Sequence, residues 1–145
     1  MLPSAVDAFS FFDISENFGS SWKNGASDYR SSNFSAFNGT SLSIAGTQGY
    51  LSPSIKPAGA GSGISNVAAV GGISGVIRII TPSNSASRKH IDGHANYFSS
   101  TSDYSIHSVF CGAYIGTNNA INGFRFSLSG NMVSGLFRLY GIKKG

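Results

Sequence analysis

The sequence predicts an all-β protein, an antiparallel β-sandwich or jelly-roll-like fold forming one domain over residues 1–145, and three observations carry that prediction. The run 124–141 alternates apolar and polar side chains with a period of two, on either side of Ser129-Gly130-Asn131. Charged residues make up 11% of the chain while glycine fills 19 positions, a composition short of the Glu and Lys that helices use. Short apolar segments return about every ten residues between turn signals, which counts to roughly seven to nine strands.

Each element follows from local pattern. Residues 8–14, Ala8-Phe9-Ser10-Phe11-Phe12-Asp13-Ile14, alternate as a strand that Glu16-Asn17-Phe18-Gly19 breaks. Lys23-Asn24-Gly25 and Phe37-Asn38-Gly39 are turn signals, because Asn-Gly readily supplies the positive φ of tight hairpins, and short strands are expected at 29–37 and 40–45. Residues 53–63 hold two prolines and three glycines with almost no bulky side chain, so an extended loop or arm is expected there. Strands follow at 75–80, 89–99 and 104–114, separated by the polar loop 83–88. Gly116-Thr117-Asn118-Asn119 then turns the chain into a final hairpin, Phe124 to Leu128 and Leu136 to Tyr140, closed by Ser-Gly-Asn.

Bulk properties narrow the function. A chain of 145 residues buries enough surface to fold without disulfides or metal. Its lone cysteine, Cys111, lies in an apolar stretch and is expected as a small buried hydrophobe, with His107 on the same side of the strand but too far along it for proton transfer. The net charge of +4 is dispersed apart from Arg88-Lys89-His90 and Lys143-Lys144, with no aromatic RNA-binding strand, so no nucleic-acid partner is expected. No secretory signal is visible near Met1 and no apolar run approaches the ~18 residues of a membrane span, so no membrane insertion is expected.

Catalytic parts are scarce. The six carboxylates Asp7, Asp13, Glu16, Asp28, Asp92 and Asp103 are scattered, and no nucleophile elbow or phosphate loop occurs, so a non-enzymatic protein with no catalytic residues and no cofactor is expected. His90 and His94, with Asp92 between them, have metal-pair spacing only on a helix, and the strand pattern there argues against a metal site. Trp22 and Tyr29 sit among polar, turn-rich residues and are the candidate contacts for a surface glycan; interface or end-capping roles suit the same rings.

One phrase occurs twice. Ser74-Gly75-Val76-Ile77-Arg78-Ile79-Ile80 parallels Ser134-Gly135-Leu136-Phe137-Arg138-Leu139-Tyr140 in its Ser-Gly start and central arginine, as two strands with equivalent jobs would. Together with Gly130 and Asn131 ahead of the second copy, these residues resemble a cassette found in β-sandwich modules of tailed-bacteriophage virion proteins, especially at the ends of tail fibres. Weaker similarity extends upstream through Gly25-Ala26-Ser27-Asp28-Tyr29-Arg30 to Leu2-Pro3.

The resemblance implies a structural virion component, made in the host cytoplasm and carried on the particle's exterior, with other virion proteins as partners. A tail-fibre or tail-tip module that forms a homotrimer and contributes to host attachment, through a host surface glycan, is the leading expectation. A capsid decoration (cement) protein is the alternative, and a small glycan-binding lectin a remote third. In the cassette, Gly130 and Asn131 would supply turn geometry, and Arg78 and Arg138 would pair at a subunit seam or stay solvated on their strands. Related modules carry further strands ahead of the Leu-Pro position where Met1 stands here. Either the module is shortened or a neighbouring subunit fills those strand positions.

Overall fold

The structure, a computed structural model, describes residues 1–4, 10–37, 41–43, 50–52, 63–69, 72–100 and 105–141. Ten strands and no helix occur among them: β1 Leu2–Pro3, β2 Ser10–Ser15, β3 Tyr29–Phe37, β4 Ser41–Ser43, β5 Tyr50–Ser52, β6 Ile73–Ile80, β7 Lys89–Phe98, β8 Ser105–Tyr114, β9 Gly123–Leu128 and β10 Met132–Ser134. The protein is all-β and sandwich-like, as its composition and alternation predict.

One layer is a six-stranded antiparallel sheet in the order β4-β3-β8-β7-β6, with β5 pairing the other end of β3. The opposing layer consists of two separate antiparallel ladders, β1 with β10 and β2 with β9, together called the ribbon. Because β2 pairs β9 in a single register, Asp13 stands opposite Arg125 and Phe12 opposite Phe126. Side-chain alternation then sets the core: Tyr29, Ile91, Phe110 and Tyr114 from the sheet meet Phe12 and Ile14 from the ribbon. Each such apolar side chain contributes about 1.5–3 kcal/mol by leaving water. A second cluster of Ile64, Ile73, Ala95, Tyr97 and Ile106 fills the end nearest Met1.

Two contacts fix that end. Met1 exchanges backbone hydrogen bonds with Ile73, its amino group donating to the Ile73 carbonyl at 2.9 Å and its carbonyl accepting from the Ile73 amide at 2.7 Å. Gly72 adopts φ 99° there, and a side chain on it would meet the Met1 carbonyl oxygen at 2.6 Å.

The predicted strand 29–37 coincides with β3, while β2, β6, β7 and β8 lie within two residues of their expected bounds at each end. The predicted arm 53–63 lies outside the described residues except for Gly63, as do Asn38-Gly39, Tyr104 and Lys143-Lys144.

The terminal hairpin is not formed. At Ser129-Gly130-Asn131 the chain bends without reversing, because β9 and β10 follow one another along the same side of the ribbon and pair with β2 and β1. Gly130 and Asn131 accordingly do not take positive φ, and Asn131 instead accepts a hydrogen bond from the Ser4 amide at 2.8 Å. Residues 135–141 form no strand: the ladder passes Leu2 opposite Ser134, and Met1 then turns to Ile73.

Candidate functional site: a loop end and an unpaired segment

The first surface lies where β2 leaves the ribbon. The Ser15 hydroxyl accepts hydrogen bonds from the Asn17 and Gly19 amides, and Asn17 Oδ1 accepts from the Ser21 amide, so the polar turn after β2 is internally bonded. At its tip Phe18 holds φ 56° and is 86% exposed, while its amide donates to Asn122 Oδ1 at 2.6 Å. A bulky residue in the left-handed region is strained, and this loop holds it there with a bare aromatic ring. Sequence reasoning passed over Phe18 because an aromatic beside a glycine reads as a strand breaker; its φ is visible only in the fold.

Behind the tip, Trp22 is half-buried. The Arg125 guanidinium lies 4.9 Å from the centre of its ring and also binds Asp13 Oδ2 at 2.7 Å. Trp22 thus lies over the Arg125 side of an ion pair whose Asp13 is buried and whose Arg125 is partly exposed, with the edge of its ring beside Gly19. Burial pushes the Asp13 carboxyl above its ordinary value, which the hydrogen bond and charge of Arg125 offset only in part, and Asp13 Oδ1 has no partner.

Glu16 joins the same end to the chain's later loops. Its carboxylate binds Lys23 Nζ at 2.9 Å and accepts hydrogen bonds from Thr117 Oγ1 and Asn119 Nδ2. Burial raises the Glu16 carboxyl, but the bonds from Thr117, Lys23 and Asn119 together outweigh it and leave the group below its ordinary value.

Tyr29, predicted as a surface contact, is instead fully buried. Its phenol accepts the Ile14 amide at 3.0 Å and donates to the Lys23 carbonyl at 2.8 Å, tying sheet to ribbon. Burial pushes that phenol well above its usual range, so it stays protonated. Its polar neighbours misled the sequence reading, since Tyr29 faces inward and packs on Tyr114, with ring centres 5.6 Å apart.

The cassette residues divide between two places. Ser74, Gly75 and Arg78 lie on β6, the edge strand of the large sheet, and are exposed. Arg78 binds Asp92 across the strands at 2.6 Å, within the chain. Ser134 ends β10, and Gly135, Arg138 and Tyr140 belong to the unpaired segment. There, Leu136, Leu139 and Tyr140 are each at least 75% exposed, and Arg138 has no ion-pair partner among the described residues. Phe137 reaches back to Phe126, at 6.0 Å between ring centres.

Other candidates fall on the outer face of the large sheet. Cys111 is exposed, not buried, and its Sγ lies 3.1 Å from Ser32 Oγ; the odd-numbered side of β8 faces outward while Phe110 takes the core. His107 shares that outward side, its Nδ1 2.7 Å from Asn96 Oδ1, and its ring approaches His94, not His90. No group of three metal-ligating side chains occurs among the described residues. Lys89, read as part of a basic cluster, is fully buried: its ammonium donates to the carbonyls of Asn84, Ser87 and Asn118. No protein-family model, curated protein or solved structure matches the chain.

Proposed function

We propose that this protein is a non-enzymatic structural component of a tailed-phage virion, a tail-fibre or tail-tip module that contributes to host attachment. The observation that carries the reading is the exposed apolar run from Met132 to Tyr140, which bears the second copy of the cassette. A surface strip of Val133, Leu136, Phe137, Leu139 and Tyr140 is costly to leave in water and supports a contact with another chain. The resemblance supplies the setting in which such contacts are permanent.

The loop end supports an attachment role, with Phe18 held outward by its bonded turn and Trp22 behind it, amid the Asn17, Ser21 and Asn122 side chains. Rings framed by amide and hydroxyl groups are the surface on which a host glycan stacks. A capsid decoration protein would use the same apolar run as a clamp on shell subunits.

Quantitative mass spectrometry of purified particles tests both. A small tail-like number of copies per particle is the expected result. A copy number near that of the shell protein would assign the chain to the capsid, and its absence from particles would overturn the virion reading.

A further inference from the structure

We propose that residues 135–141 of one copy add as an outer strand to β6 of a second copy of this chain. The inference deepens the assembly reading of the same segment and rests on it. Two unsatisfied elements lie in one chain. β6 is an edge strand with no strand beyond it among the described residues, apart from the Met1 bonds at Ile73. The segment 135–141 is extended in sequence pattern, apolar, exposed and without a strand partner among the described residues.

The edge is apolar on both faces. Val76 and Ile80 are exposed on its outer side, while Ile77 and Ile79 pack on the core yet remain half-exposed on the inner side. Edge strands normally carry charges or bulges that discourage pairing. Here Arg78 is the one charged side chain on β6, and Asp92 already neutralises it. With Ser134 at the end of β10 set aside, the donor also matches β6 in its text, as Gly-x-x-Arg in both, so a sheet that accepts one phrase as its edge presents the chemistry suited to the other.

Side-chain alternation limits the register. Phe137 and Leu139 lie on one face of an extended donor, and Leu136, Arg138 and Tyr140 on the other. The two large apolar rows match if Phe137 and Leu139 join the Ile77 and Ile79 side. Antiparallel pairing of Phe137 with Ile79 would set Arg138 directly opposite Arg78, leaving two guanidinium groups to share the one Asp92 carboxylate. Moving by two residues sets Phe137 opposite Ile77, Leu139 opposite Gly75, where no side chain competes for space, and Arg138 opposite Val76. Tyr140 then lies beside Ser74, in the row of Asn96 and His107. With one donor and one acceptor on each chain, the contact joins unlike surfaces and closes into a ring when the rotation permits, as in a trimer.

The test uses full-length chains carrying Cys111→Ser. One carries Val76→Cys and the other, with a longer affinity tag, Arg138→Cys; they are mixed and oxidised. The expected product is a disulfide-linked pair of unequal chains, about tenfold above the yield when Leu139→Lys is added to the donor. Light scattering should show a mass that rises with concentration and falls to the monomer with Leu139→Lys. Two results overturn the proposal: a monomer at all concentrations from chains that still unfold cooperatively, or a linked pair whose yield Leu139→Lys leaves unchanged. A chain counted in particles yet monomeric in solution would sink self-pairing and leave the virion reading standing. A self-pairing chain missing from particles would do the reverse.

Discussion

At the scale of single residues, buried polar groups do the positioning and their removal is the clearest test. Lys89 places three ammonium protons on three carbonyls and so joins loop 81–88 to the turn at Asn118. Lys89→Met should cost roughly 3–5 kcal/mol in chemical denaturation, because it removes three charge-assisted hydrogen bonds made by a fully buried side chain; a loss under about 1 kcal/mol would mean that solvent replaces the ammonium. Phe18 is the opposite case, a strained residue whose side chain touches little. Phe18→Gly should stabilise the fold by about 0.5–1 kcal/mol, by relieving the left-handed backbone, while lowering host-cell or glycan binding. Unchanged binding would remove Phe18 from the contact surface. The two acids of this end should bend the pH profile in opposite directions. Asp13, raised by burial, stabilises the fold most below its ordinary value, and that contribution is lost as pH rises through its raised folded value. Glu16, net lowered, contributes above its ordinary value, and the contribution is lost as pH falls through its lowered one. On acidification the parent should therefore gain stability relative to Asp13→Asn and lose it relative to Glu16→Gln. Urea unfolding across the acid range reads both, and a common direction would refute the assignment.

At the scale of elements, alternation made β3, β6, β7 and β8 legible because each carries its own inner and outer faces in its text. In β8, Ile106, Ser108 and Phe110 turn in while His107, Val109 and Cys111 turn out. What the sequence could not show is which strands meet. β9 reads as half of a local hairpin, yet Arg125 pairs with Asp13, 112 positions away, because that register buries Phe12 and Ile14 against the sheet. Ser-Gly-Asn is a local turn signal, and the long-range burial outweighs it. Tyr29 failed for a related reason: the strand it begins faces the core, and the strands that pair with it, β5 and β8, lie far along the sequence. Gly93 shows how tightly the sheet's pairing is built, since an added side chain would meet the Val76 carbonyl oxygen at 2.0 Å and the Phe110 ring at 2.6 Å. Gly93→Ala should cost about 2–3 kcal/mol in denaturation and lower the cooperativity of the β6–β7 edge. A loss below about 0.5 kcal/mol would show that the edge strand shifts freely.

At the scale of the whole molecule, the ribbon makes the fold depend on both ends of the chain. β9 covers the inner face of the sheet together with β2, so Phe12, Ile14 and Tyr29 stay buried only when residues 123–128 are in place. The segment beyond Ser134 stands differently, because its exposed side chains touch the fold mainly through Phe137 on Phe126. On the proposal that residues 135–141 bind another copy, folding and assembly fall to adjacent pieces of one stretch of chain. A chain ended after Ser134 should keep a single cooperative transition and lose about 1 kcal/mol from the ring contact, lowering Tm by about 3–5 °C. A chain ended after Asn122 should fail to fold, exposing the inner face of the large sheet and aggregating. Circular dichroism and thermal scans of the two truncations separate these roles. If the first truncation also loses its cooperative transition, residues 135–141 support the fold of their own chain, and their exposure cannot then be explained by assembly alone.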